Sequence, residues 1–347
     1  MQQNNRYEYL DVLRIIAIVF VLFNHTNGYG FFLFSTVENT GAYIISLILS
    51  VVCKCAVPIF FMVSGRLLME REESLRIILK KRVFRFAVVL VLFSMAVYCA
   101  GNIMSGKNEF SIREVIKIVY RGTDIGTYWF LYAYVGVLLI LPFIRSMRNV
   151  LTDTNMYYLF ALRIVFLGIL PVTIFAALGH PMGTLLKLYI VETPIFFFLS
   201  GYYFGTTEHY QKGKYRYLLL VASCVCVAIS AFMTTYQFQT GGQYTEDFLD
   251  CFIPVISITL FEWIHYLTEK HRMSNTAKKG FAYVGSLVFG IYLMEPILRL
   301  MLEGIRSNIF QRHPDLLGSF LWVGIEFCVG LAFTAILKLC PGIKKLL

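Results

Sequence analysis

YLDVLRIIAIVFVLFNHTNGY, residues Tyr9 to Tyr29, is a run long enough to cross a bilayer that nonetheless carries Arg14 and His25. About 20 apolar residues span the hydrocarbon, so the two ionisable groups are the anomaly. They lie eleven positions apart. At about 100° per residue that is three turns plus about 20°, which puts both on one helix face, roughly 16 Å apart along the axis. A charge inside a membrane helix is costly and marks a substrate or proton path. Asp11 stands one turn before Arg14, at a spacing suited to pairing.

The composition agrees with a membrane setting. Hydrophobic residues make up 58%, charged residues 15%, and the mean hydropathy is +0.67, whereas roughly a quarter of residues in soluble proteins are charged. The net charge of +10 does not call for nucleic acid as a partner, because the cations sit in short loops on alternate sides, as topology requires. No cleavable signal peptide is expected, since the polar start runs directly into a full-length span. The eight cysteines (Cys53, Cys55, Cys99, Cys224, Cys226, Cys251, Cys328, Cys340) fall mostly in apolar segments and read as small buried hydrophobes. Cys53/Cys55 and Cys224/Cys226 diverge by about 200° on a helix, so neither a disulfide nor a zinc site is expected.

Hydropathy divides the chain into ten spans, at 10–30, 42–68, 84–104, 126–147, 157–178, 184–205, 216–236, 247–267, 281–303 and 317–339. The fold class expected is an all-α polytopic membrane helix bundle forming one domain over 1–347. Loops after even-numbered spans hold the denser cations, among them Arg71, Lys80 and Lys81, then Lys212 and Lys214, and finally Lys344 and Lys345 in the tail. This places both termini in the cytoplasm. Arg14 then lies at the inner end of the first span and His25 towards the outside.

PIFFMVSG at 58–65 recurs as PIFFFLSG at 194–201. Four spans separate the copies, so both run in the same direction, as in a parallel repeat; convergence of aromatic-rich spans is the equal alternative. Ser64/Gly65 and Ser200/Gly201 are notches that admit a close neighbour in either case. The loop at 105–122 places Ile112, Val115, Ile116 and Val119 at helical spacing, which predicts a short amphipathic surface helix, lodged at the interface or lying over an external site.

Arg14, ten residues and His25, preceded by LDVLR, resemble the signature of the acyltransferase-3 family of integral-membrane acyltransferases. Val57 to Leu68 (VPIFFMVSGRLL), Arg82 to Phe86 (RVFRF), Tyr128 to Pro142 (YWFLYAYVGVLLILP) and Gly290 to Pro296 (GIYLMEP) resemble further family blocks. The resemblance implies acyl transfer, most simply of acetyl, from cytoplasmic acyl-coenzyme A (acetyl-CoA) to a hydroxyl of an envelope glycan or small acceptor. Acyl-CoA is then a substrate, and no tightly bound cofactor is expected. Two departures stand out: Phe86 and Ala87 follow the arginine pair where the family often has proline, and Glu295 stands where many members have histidine.

His25 is the candidate general base, because imidazole titrates near working pH; the plainer reading is a histidine hydrogen-bonded within the bundle. Arg14 either snorkels to the headgroups or, as the resemblance implies, helps to hold the acyl donor. Arg66, Arg82 and Arg85, with Lys81, form a basic group suited to the phosphates of coenzyme A, or serve as positive-inside anchors. Lys54 and Glu192, just before the two PIFF copies, are expected to line the cavity together with Asp11 and Glu295. Trp129 either stacks on a sugar ring or marks the membrane interface. Arg163, Lys187, Glu262, His265, Arg299 and Glu326 are further ionisable residues in or near spans, most of them expected to pair. The competing function is a transporter or flippase of an amino acid or lipid-linked sugar, because similar membrane domains occur attached to serine racemases. Nothing in this sequence resembles the racemase part, nor is an appended hydrolase-like domain expected.

Overall fold

A computed structural model describes residues 7–107, 110–122, 125–171, 173, 192–239 and 247–347, and every regular element among these is helical. Helix α1 runs over Glu8–Asn24 and passes through His25, whose backbone keeps helical angles (φ −80°, ψ −1°), into 3-10 turns at Asn27–Tyr29 and Leu33–Ser35. The expected span 10–30 is therefore regular helix only as far as Asn24. Helix α2, Thr40–Cys53, starts at Asn39, whose side chain accepts from the Ala42 N–H. Helix α3, Ala56–Leu68, follows after a break at Lys54 and Cys55. Pro58 accounts for the break, since it has no N–H to donate and its ring crowds the carbonyl of Lys54 four residues earlier.

Helix α4, Leu75–Met104, contains a π-helical stretch at Ile78–Val83. Helix α5, Ile112–Arg121, is capped by Ser111 and closed by Gly122 in the left-handed region at φ 69°. Helices α6, Trp129–Leu139, and α7, Leu141–Ser146, belong to a pair of segments bent by 59°, with Pro142 at the bend. Then come α8, Asp153–Ile164, continuing into a π-helical stretch at Val165–Ile169; α9, Thr193–Thr206; α10, Gly213–Gln239; and the short α11, Asp247–Asp250. The remainder comprises α12, Ile253–Lys270; α13, Asn275–Met301; α14, Glu303–Arg312; α15, Leu316–Leu337; and α16, Pro341–Lys344.

By length and composition, five segments among the described residues suffice to cross a membrane: Thr40–Leu68, Leu75–Met104, Gly213–Gln239, Asn275–Met301 and Leu316–Leu337. The bent pair around Pro142 makes a sixth. All ten expected spans are helical over much of their described length. Those at 10–30, 157–178, 184–205 and 247–267 fall outside the set of six, the first because α1 has only 17 residues and three charged groups. Residues 174–191, including Lys187, and residues 240–246 lie outside the described residues.

Two compact units emerge: Met1–Glu70 with Ser146–Gly285, and Arg71–Arg145 with Ser286–Leu347. In the first, the two PIFF segments pack directly on one another. A Cβ on Gly65 would strike the backbone of Phe198, and one on Gly201 would strike the backbone of Met62, so each glycine makes room for the other helix. Phe196, Phe197 and Phe198 are fully buried around this seam.

In the second unit, reciprocal tyrosine bonds tie the turn before α6 to α13. Tyr128 donates to the Leu293 carbonyl at 2.6 Å, and Tyr292 donates to the Thr127 carbonyl at 2.5 Å. Gly290 on α13 meets Thr334, and Gly330 on α15 meets Ile291, a close helix pair built on small residues. Helix α5 is the expected amphipathic helix. Val115 is buried while Ile112 and Ile116 are exposed, and Tyr132 donates to the Val119 carbonyl at 2.7 Å.

Candidate functional site

The first unit holds the end of α1 in a clamped turn. The Asn24 amide donates to the Cys53 carbonyl at 3.0 Å, a carbonyl in the last turn of α2 that lacks a helical donor of its own. The Thr26 hydroxyl donates to the Phe23 carbonyl at 2.6 Å and accepts from the Phe31 N–H at 3.1 Å, while Ser50 donates to the Phe31 carbonyl. Half-buried His25 sits between these two anchors.

Beside it, two proline-broken helices meet. Pro254 stands to Asp250 as Pro58 stands to Lys54: α11 ends at Asp250 and α12 begins at Ile253. The two break residues form an ion pair, Lys54 Nζ to Asp250 Oδ1, at 3.4 Å. The Lys54 ammonium also lies 5.4 Å from the centre of the Phe31 ring. Buried Arg163, on α8, donates to the Thr193 hydroxyl at 3.2 Å, lies over the Phe196 and Phe197 rings, and is within electrostatic reach of Asp250 and Glu192. Glu192 itself precedes α9 without capping it. His25, Lys54 and Glu192, three of the residues picked from sequence, thus belong to one neighbourhood, to which Asp250 and Arg163 are added. Proline at 58 and 254 was the available signal for Asp250.

At the other end of α1 the expected Asp11–Arg14 pair is present, Nη1 to Oδ1 at 3.0 Å, with Asp11 buried and Arg14 part-exposed. Gly285 leaves just enough room for the Asp11 carboxylate. The Tyr9 ring stacks on His265 at 3.8 Å and meets Phe261 edge-on. Arg66 is held by Glu70 at 2.6 Å and the Tyr7 hydroxyl at 2.6 Å, with the Tyr7 ring beneath it at 4.3 Å, while its Nε has no hydrogen-bond partner among the described residues. Glu262 runs against the expectation of pairing: its side chain is 0% exposed and neither carboxylate oxygen has a hydrogen-bond partner among the described residues.

In the second unit the two arginines of RVFRF part company. Arg82 forks onto Glu73, Nε to Oε2 at 2.9 Å and Nη2 to Oε1 at 2.6 Å, and Arg145 adds Nη2 to Oε2 at 3.1 Å. The hydrogen bonds from Arg82 hold the Glu73 carboxyl below the usual range, against a partial desolvation that works the other way. Arg85 instead donates to the Leu346 carbonyl at 2.9 Å. Glu295 is fully buried and pairs with Arg299 at 3.4 Å, and Glu326 is buried too. Trp129 is half-exposed at the start of α6. Glu73 and Arg145 escaped the sequence reading; the acidic step Glu70, Glu72, Glu73 inside a basic loop was the sign. No group of three metal-ligating side chains occurs among the described residues.

Over 253 residues the chain is 27% identical to an amino-acid racemase from Enterococcus faecalis, covering 69% of this chain and 33% of that protein, so it spans about a third of the length of its curated relative. No solved structure matches it. The acyltransferase-domain model of the acyltransferase-3 family matches residues 7–339, nearly the whole chain and both units. A multi-pass helical protein with that match end to end belongs to the acyltransferase-3 family of membrane acyltransferases.

Proposed function

We propose that the protein moves an acyl group, most simply acetyl, from cytoplasmic acyl-coenzyme A to a hydroxyl of an envelope glycan or small acceptor outside the plasma membrane. A ten-span topology with both termini inside belongs to this reading. The observation that carries it is the arrangement of α1: an imidazole in a turn anchored by Asn24 and Thr26, and on the same helix a guanidinium fixed by Asp11.

In this mechanism His25 takes the acceptor's hydroxyl proton as the oxygen attacks the thioester carbonyl. The carbon–sulfur bond breaks, and the departing thiolate recovers the proton from the imidazolium, so an ester and free coenzyme A form with no net proton change. Lys54, whose chain neighbour Cys53 is bonded to Asn24 and whose charge is half-neutralised by Asp250, favours the negative charge that develops on the carbonyl oxygen. Arg14 and Arg66 serve the donor on the first unit, and Arg82 and Arg85 on the second. Asp11 and Glu192, both on the first unit, position the acceptor. His25→Ala is expected to cut transfer by about 10² or more while the protein still inserts in the membrane; retained transfer refutes the assignment.

Glu262 favours a second reading, passage of a solute such as an amino acid, because an intramembrane carboxylate without a hydrogen-bond partner among the described residues is a feature of transport paths. Uptake of labelled amino acid into proteoliposomes lacking coenzyme A separates the two: uptake there, with no acyl transfer, supports passage.

A further inference from the structure

The Glu73 clasp carries more than a loop contact needs. Two guanidinium groups converge on one carboxylate through three hydrogen bonds, two of which form a fork from Arg82. Arg82 comes from the π-helical stretch of α4, a local widening that recurs at functional sites, and Arg145 from α7. The three side chains are 21% (Arg82), 17% (Glu73) and 13% (Arg145) exposed, so solutes reach them.

A phosphoryl group uses the same guanidinium fork as a carboxylate, but offers three oxygens and close to two charges. It would satisfy both arginines better than Glu73 does. We propose that Glu73 is a built-in placeholder for a phosphoryl group: it holds Arg82 and Arg145 in register until a phosphate displaces it. The inference deepens the donor reading given above and rests on it, adding Arg145 as a second phosphate ligand and Glu73 as a competitor. A terminal phosphate monoester of this kind is carried by coenzyme A, while the phosphodiester of an anionic lipid headgroup offers the same guanidinium fork with two free oxygens and one charge.

The test uses the full chain in nanodiscs of phosphatidylcholine, with coenzyme A binding measured for the wild type, Glu73→Gln, Arg145→Lys and Arg82→Ala. Removing the competing charge is expected to tighten coenzyme A binding about threefold to tenfold, while losing either guanidinium weakens it about tenfold, the scale of one charge-assisted bond. Thermal stability of Glu73→Gln is expected to fall as its affinity rises, a pairing of opposite signs that a purely structural clip does not produce. A second arm counts phosphatidylglycerol molecules retained by the same variants in native mass spectra. A gain for coenzyme A names the donor as the source, and a gain for phosphatidylglycerol alone names the lipid. If Glu73→Gln gains neither ligand, the placeholder is overturned. Should Arg82→Ala alone weaken coenzyme A binding, the donor reading survives that loss; should none of the variants alter it, the donor role of Arg82 falls as well.

Discussion

Glu73 is the residue whose ionisation the second unit uses most directly. Its carboxyl is held below the ordinary range by the Arg82 fork and by Arg145. For an acid whose folded value is depressed, the added stability is complete above its unfolded value, about 4, and disappears as pH falls through the lower folded one. The melting temperature of the wild type is therefore expected to exceed that of Glu73→Gln at neutral pH and to converge with it in acid. A gap between the two that stays constant with pH would count against the clasp. Asn24 offers a comparable test at the end of α1. Replacing it by Asp keeps the size but removes the donor, leaving the Cys53 carbonyl short of a partner at a cost of about 1–3 kcal/mol. Asn24→Asp is expected to lower both melting temperature and transfer rate, and an unchanged rate would detach this anchor from His25. Of these residues the sequence disclosed those whose spacing along one helix has meaning, as with Asp11 and Arg14. Glu73, Arg145 and Asp250 meet their partners across loops and helix breaks, where no period links them.

Among elements, α3 and α9 are the pair most intolerant of change, because Gly65 and Gly201 each face the other's backbone and a main chain cannot step aside as a flexible side chain can. Gly65→Ala and Gly201→Ala are each expected to destabilise the protein by about 1–3 kcal/mol or more. Gly101→Ala, with open space around the new methyl group, is expected to be neutral or to stabilise by up to about 1 kcal/mol. Thermal unfolding of the three in detergent gives the comparison, and equal effects would mean that the seam yields. Both small-residue notches were legible as such in the repeated octapeptide. The interruptions at Lys54 and Asp250 were not, since hydropathy averages over a proline whose effect falls four residues upstream.

Across the molecule, the apolar segments found from hydropathy are where helices form, whereas the shorter helices α1 and α9 depend on neighbours more than on their own length. What hydropathy leaves out is which polar groups meet, as Arg66 does with Glu70 and Tyr7. The ten-span topology has its own test in Cys340, which is exposed near the carboxyl end. A membrane-impermeant maleimide is expected to modify it in inside-out vesicles and to spare it in right-side-out ones; the reverse would turn the topology over. The meeting of Lys54 and Asp250 bears on what the membrane interior can accommodate. Each break leaves a carbonyl without its usual intrahelical donor, because a proline stands four residues on. Two interrupted helices thus meet where each has given up a main-chain hydrogen bond, and the charges of Lys54 and Asp250 face each other across that junction.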